Sequence, residues 1–344
     1  MKDIISENLS FAPPKEWVST GCTYLIIGPT GHIGTSISGS IAGKDQTFGV
    51  SRGNLDISNQ PLDILKADAT QKDQLVEILR KIKPSIIIDL GGNANLEECQ
   101  KDPQMAYDQN VGRVKALTDA VSETYLSMRP VIILGSTDYV YGSNEGPYKE
   151  EAPRKRTFNV KGEEPVYAQT KIAAEKVLVE SSIRHNIPYM ILRFAFPYDQ
   201  NYGQKPGTAV SMFEALAQSK NITALTDLKM TVTPTQYIPR AINTLIRKRV
   251  WEDPYPIFNI AGPTAYSGFQ IAQICADELR RRGLDIKKDQ IKADTVEHFF
   301  EGKAPRPING GLDTSKIQRL GIMIPNFKDD IKTFTLPKDQ GGSS

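Results

Sequence analysis

Residues 24–34 read Tyr-Leu-Ile-Ile-Gly-Pro-Thr-Gly-His-Ile-Gly, an apolar run that ends in three glycines, Gly28, Gly31 and Gly34. Ile33, Ile37 and Ile41 then recur at helical spacing on one side of the next segment. A buried strand, a tight turn and a helix N-terminus in that order make an anion site. Bare backbone N–H groups and the positive end of the helix dipole converge there. The glycines let the chain turn sharply and lie close to a ligand. An ordinary β–α turn can carry glycines too, so the surrounding chain has to decide.

Outward from this stretch, apolar runs predict strands at 24–28, 47–51, 85–89, 130–135 and 188–193. Helical patterns fall between them at 32–42, 71–82, 104–125 and 166–186. Near-continuous β-branched runs are what strands covered on both faces require, so the sheet is predicted to be parallel. Repeated β–α units with short loops imply an α/β protein, a doubly wound parallel-sheet Rossmann domain over residues 23–195. Beyond 195 the alternation loosens and proline and glycine punctuate it. This predicts a smaller mixed C-terminal substrate lobe over 196–335, with helices at 207–219, 236–249, 268–281 and 314–320 and a strand at 256–260. The helix 236–249 and the strand 256–260 are candidates to pack back on the first domain. Residues 1–22 read as an N-terminal extension that drapes or frays, and 336–344 as a disordered tail.

The bulk numbers exclude several classes. A net charge of +2 gives no electrostatic case for nucleic acid or an anionic membrane. No apolar run approaches the ~18–20 residues of a membrane span, and the N-terminus does not resemble a secretion signal, so the cytoplasm is the default. The three cysteines lack metal or redox spacing, and three histidines make a histidine metal cluster unexpected.

A Rossmann unit usually places an acid about 20 residues past the glycines, on the adenosine ribose. Here the second strand ends Val50-Ser51-Arg52-Gly53 instead. A carboxylate would repel a 2′-phosphate, whereas Ser51 can hydrogen-bond it and Arg52 neutralise it, which favours NADP(H) over NAD(H). Asp56 lies close by in sequence. Asp68 and Ala69 open the next crossover, where the aspartate either meets the adenine or caps a helix. Leu90-Gly91-Gly92 follows the third predicted strand, and small residues there let a cofactor pass close to the sheet edge. Thr30, His32 and Ile33 complete the turn beside the glycines.

Tyr167-Ala-Gln-Thr-Lys171 puts a phenol and an ammonium on one helical face. The lysine is expected to favour the phenolate, so that the tyrosine can exchange a proton with a carbonyl or alcohol oxygen. Ser136 and Thr137 end the preceding strand at the carboxyl edge, where open α/β sheets bind ligands, and either hydroxyl can donate to the same oxygen. Asn110 is expected in a helix facing the same cleft.

In order and spacing, these elements resemble the extended short-chain dehydrogenase/reductases over roughly residues 22–335. Within that family the chain looks most like the dTDP-4-dehydrorhamnose reductase branch. The segments that carry this are Ser136-Thr-Asp-Tyr-Val140, Pro165–Lys171, Thr233-Pro-Thr235 and Arg306–Lys316. The resemblance implies Thr137, Tyr167 and Lys171 as the catalytic set, with Tyr167 protonating the C4 oxygen of a nucleotide-linked 4-keto-6-deoxy sugar reduced by NADPH. It implies sugar contacts from Asn93, Thr137, Asp138 and Phe196, pairing of Arg306 with the substrate diphosphate, and a homodimer. Related 4,6-dehydratases carry Thr-Asp-Glu where this chain has Tyr139 third, so a dehydration that needs that acid is disfavoured. There are departures: Ile27 replaces a usual threonine, Asn93-Ala94 a His-Thr pair and Ala195-Phe196 a Ser-Trp pair. An epimerase or other extended-family enzyme with retained NAD(P), and a non-catalytic NADP-binding regulatory subunit, stand as alternatives.

Overall fold

The computed structural model describes residues 17–53, 62–142, 146–153, 163–201 and 206–337. Most of the predicted extension (1–16), Asp56 and the tail beyond 337 lie outside the described residues.

Six strands come in order along the first half of the chain: β1 (Thr23–Ile27), β2 (Gln46–Ser51), β3 (Asp63–Lys66), β4 (Ile86–Asp89), β5 (Val131–Thr137) and β6 (Tyr189–Phe194). Four short strands follow outside the main sheet: β7 (Pro197–Tyr198), β8 (Ile222–Leu225), β9 (Lys229–Thr231) and β10 (Thr233–Pro234). Then β11 (Ile257–Ile260) returns to pair with β6, completing a seven-stranded sheet in the order β11-β6-β5-β4-β1-β2-β3. Every pairing in it is parallel.

The predicted apolar runs explain this sheet residue by residue. Successive side chains point to opposite faces. Ile26, Ile88, Ile133 and Leu192 face one core with Ile37 and Ile41 of α1 (His32–Ile41), whereas Leu25, Ile87, Ile132 and Ile191 face another with Leu75 and Leu79 of α2 (Lys72–Ile82). A strand apolar at every position therefore buries both faces. β3 was not anticipated: its Asp-Ile-Leu-Lys is short, and its ends are exposed at the sheet edge.

The predicted helix 104–125 is interrupted. After α3 (Leu96–Lys101), capped by the Asn95 side chain, α4 (Pro103–Tyr107) starts at Asp102, whose side chain accepts from the Met105 N–H. A π turn (Asp108–Gly112) leads into α5 (Arg113–Thr124). α6 (Val166–His185) carries the Tyr-Lys pair and ends on Asn186 in the left-handed region.

Beyond β6 come α7 (Thr208–Ala217) and α9 (Gly268–Arg281) of the smaller lobe, the latter begun by a Ser267–Gln270 capping box, and between them α8 (Ile238–Arg247). Three two-stranded ribbons pair β10 with β7, β9 with β12 (Ala265–Ser267), and β8 with β13 (Ile291–Asp294). Its core gathers Phe213, Leu216, Ile271, Leu279, Phe327 and Phe334. α8 instead buries Ile238, Ile242 and Leu245 in the first core of the main sheet. At the other end of the chain Trp17 joins that same core and donates its Nε1–H to Asp45 at 2.8 Å. The part of the extension described here therefore drapes. Among the described residues no helix is long and apolar enough to cross a membrane.

Candidate active site

Everything of chemical interest gathers at the carboxyl ends of the strands. Gly28 follows β1 at φ +78°, in the left-handed region, and donates its N–H to Val50. No side chain caps the N-terminus of α1, so the first N–H groups of the helix point into the turn. A Cβ on Gly34 would run into the Gly28 carbonyl oxygen. The turn is thus closed to side chains and presents only backbone, as a dinucleotide diphosphate requires.

Two adjoining clefts open from it and share Gly31, Leu90, Gly91 and Gly92. The smaller, about 240 Å³, is lined by Gly28, Thr30, Ser51, Arg52, Asp68 and Ala69. Its shape and residues suit the adenosine end of a dinucleotide. Asp68 has one oxygen already engaged, accepting from the N–H and hydroxyl of Thr70 at 3.0 and 2.8 Å. Those bonds lie ahead of α2, whose N-terminus has no side-chain cap, so Asp68 does not cap that helix.

The larger cleft, about 450 Å³, is lined by His32, Ile33 and Gly34 on one side and by Asn93, Asn110, Ser136, Thr137, Asp138, Tyr167, Lys171 and Phe196 on the other. β5 outruns its neighbour β4, and its last residues, Gly135–Thr137, lie opposite Leu192–Phe194 of β6. That overhang delivers Thr137 to the cleft. Tyr167 and Thr137 line the cleft together, and the Thr137 hydroxyl acts to lower the phenol. Tyr139 holds the Tyr167 ring edge-to-face at 5.6 Å. The π turn brings Asn110 inward, where its Nδ2 donates to the Asn93 carbonyl and to Thr170, both at 3.0 Å, and its Oδ1 accepts from the Asn93 N–H at 2.7 Å. Asn110 thereby ties the loop after β4 to the helix that carries Tyr167.

Three expectations are corrected. Lys171 does not lower the phenol. Its Nζ donates to the Gly135 carbonyl at 2.7 Å, and burial pushes Tyr167 above its ordinary value, with the Thr137 hydrogen bond acting in the other direction. Burial, with the Arg113 charge behind it, lowers Lys171 itself to about 8, while Asp89 and Glu175 hold it up. Ser136 is not a second donor to the cleft, because its hydroxyl gives its proton to Glu175 Oε1 at 2.5 Å. Arg306 lies outside the cleft lining and is engaged elsewhere: it pairs with Glu97 at 2.7 Å and stacks over Phe300 at 4.4 Å.

The sequence reading also missed two buried ion pairs beneath the clefts. Arg113 pairs with Asp89 under Gly91, and a Cβ on that glycine would meet the arginine side chain. Glu175 takes Arg193 bidentately, Nε to Oε1 at 3.0 Å and Nη2 to Oε2 at 2.8 Å. Glu175 was findable, since it continues the helical face of Tyr167 and Lys171 at a further step of four.

A family model described as the RmlD substrate binding domain matches residues 22–338. The dTDP-4-dehydrorhamnose reductase of Salmonella typhimurium is 23% identical over 314 residues, covering 90% of this chain and 95% of that one. The methionine adenosyltransferase 2 subunit beta of Xenopus laevis is 23% identical over 248 residues, 71% of this chain and 67% of its own. Among solved structures, a dTDP-4-dehydrorhamnose reductase from Bacillus anthracis in complex with NADP superposes with a TM-score of 0.68. It is 18% identical and the match covers 91% of this chain and 98% of that chain.

Proposed function

The chain belongs to the RmlD substrate binding domain family, and from that premise we propose that it is an NADPH-dependent reductase of a nucleotide-activated 4-keto-6-deoxy sugar. The observation that carries this is the convergence of Tyr167, Thr137 and Lys171 in one cleft with the bare N-terminus of α1. The closed glycine turn and the donors of the smaller cleft fit a dinucleotide, with Gly28, Gly31 and Gly34 toward its diphosphate and Ser51 and Arg52 toward a 2′-phosphate. When bound, the nicotinamide supplies a hydride.

The protein's share is the proton and its placement. The C4 carbonyl oxygen gains charge as carbon is reduced, and the buried Tyr167 phenol, neutral at neutral pH, gives its proton to that oxygen. Thr137 donates a second hydrogen bond to it and so stabilises the developing charge in a low-dielectric cleft. Lys171, lowered to about 8 by burial, lines the same cleft and donates to the Gly135 carbonyl, which holds the end of β5 that carries Thr137. Phe196 offers a ring to the sugar face. The same reading places the enzyme in the cytoplasm as a homodimer.

The test is loss of NADPH absorbance with purified protein and dTDP-4-dehydrorhamnose, with Tyr167→Phe as control. Turnover that the substitution abolishes supports the reading. Tight NADPH binding without turnover of any nucleotide-linked 4-keto-6-deoxy sugar sinks it and favours the non-catalytic alternative, to which the likeness to a methionine adenosyltransferase beta subunit points.

A further inference from the structure

We propose that Asp138 acts as a neutral carboxylic acid that turns the Thr137 hydroxyl toward the substrate's carbonyl oxygen, which makes it a positioning residue for the reduction proposed above. A threonine hydroxyl has a single hydrogen to give and two lone pairs to receive. Thr137 Oγ1 lies 3.0 Å from Asp138 Oδ1, and the Tyr139 N–H donates to the same oxygen at 3.3 Å. An ionised Asp138 can only accept, so it claims the Thr137 proton and leaves the hydroxyl nothing to offer the cleft. A protonated Asp138 reverses the bond. Its own O–H donates to Thr137 Oγ1, and the Thr137 hydrogen is free for the carbonyl. The two forms differ by one proton, which Asp138 takes up from solvent and returns to it.

The surroundings favour the protonated form. Asp138 is 3% exposed, and its Oδ2 is buried with no hydrogen-bond partner. That oxygen abuts the backbone of the C-terminal segment, where a Cβ on Gly310 would come within 2.7 Å. Among the described residues the ionisable groups against it are Tyr139 and Tyr167, both pushed up by burial and so neutral, and neither supplies a cation. Arg306 acts on Tyr139 but is paired with Glu97. A buried carboxylate with an unsatisfied oxygen is costly, and a carboxylic acid kept neutral near neutral pH can serve as a donor. Burial accordingly raises Asp138 to about 7, against the Thr137 hydrogen bond and the backbone N–H groups of Asp138 and Tyr139.

The test has two arms. In the first, infrared difference spectra of full-length wild type against Asp138→Asn are recorded across pH. A protonated-carboxyl band that titrates near 7, and moves in Thr137→Val, is expected. In the second, kcat with NADPH and dTDP-4-dehydrorhamnose is measured for wild type, Asp138→Asn and Asp138→Ala between about pH 6 and pH 9. The asparagine amide donates to Thr137 at every pH. Its rate relative to wild type should therefore climb about tenfold per pH unit above 7, whereas alanine, with no donor, shows no such climb. Lys171 bends all three profiles alike and cancels in the ratio. Parallel profiles for wild type and Asp138→Asn overturn the proposal. So does a carboxyl band absent at pH 6 or indifferent to Thr137→Val, and that result stands even if the wild type turns over no sugar, an outcome that counts against the reductase reading alone.

Discussion

Replacing Arg193 with methionine should be among the most damaging single changes available in this protein, although the residue touches neither cleft. Arg193 is 1% exposed and holds four groups: both oxygens of Glu175, the Tyr141 hydroxyl at 2.7 Å and the Glu150 carbonyl at 3.0 Å. Methionine fills much of the volume and supplies none of the donors. Glu175, itself 1% exposed, would keep its charge while losing both guanidinium hydrogen bonds. Breaking a buried pair from one side costs roughly 3–5 kcal/mol. The Tyr141 hydroxyl still donates to Asn259 and the Glu150 carbonyl still accepts from Tyr255, so the loss within that range comes from Glu175. For a protein of this size that is a fall in Tm on the order of 10 °C. Because Glu175 is the next step along the face of Tyr167 and Lys171, kcat should fall as well. The double variant Arg193→Met with Glu175→Met removes the stranded charge and should recover more than half of the lost Tm. Thermal unfolding followed by circular dichroism reads both. A single variant that loses under about 1 kcal/mol, or a double variant as poor as the sum of its parts, would refute the account of this pair as a mutually dependent buried charge.

Further expectations are equally concrete. Tyr167→Phe should lower kcat by about 10²–10⁴ while NADPH affinity, read by fluorescence titration, stays within a few-fold. Arg52→Ala should weaken NADPH by about tenfold or more and leave NADH nearly untouched; equal losses for both would remove the 2′-phosphate role. Gly34→Ala should abolish dinucleotide binding, since the new methyl meets the Gly28 carbonyl, and calorimetric titration at wild-type affinity would contradict that geometry. Asp138 also predicts a pH dependence of stability. Its pKa is raised on folding from 3.8 to about 7, so its contribution is fully present below 3.8, is lost as pH rises through that window, and is constant above it. The wild type should therefore lose up to about 4 kcal/mol relative to Asp138→Asn between those limits, seen as a Tm difference that opens with rising pH.

How far the fold could be read from the residues followed from burial. Strands buried on both faces announce themselves as unbroken apolar runs, and β1, β4, β5 and β6 fall within a residue or two of the predicted spans. β3 and the ribbons of the smaller lobe are two to four residues long, too short for a period to register. The π turn was invisible because one extra residue per turn leaves the composition of a helix unchanged. Within the site, spacing pointed Tyr167, Lys171 and the Ser136-Thr137 pair to one cleft, and the family resemblance chose Thr137 of the two hydroxyls. What spacing does not contain is which partner a polar group chooses. Ser136 turned to Glu175, Lys171 to a backbone carbonyl and Arg306 to Glu97 because each found a buried or complementary group nearer than the cleft.

One feature of the chain path bears on how such a molecule comes apart. The polypeptide leaves the main sheet after β6, builds much of the smaller lobe, and returns with α8 and β11 before departing again. The two lobes are therefore laced together rather than strung in series. A single proteolytic nick in the smaller lobe severs the backbone without freeing either part, because β11 remains zipped to β6 and α8 to the face beneath. Variation of the smaller lobe is consequently confined to what can be exchanged between two fixed anchor points. A graft that ignores the returning strand would strip β6 of its outer neighbour and expose a bare parallel edge.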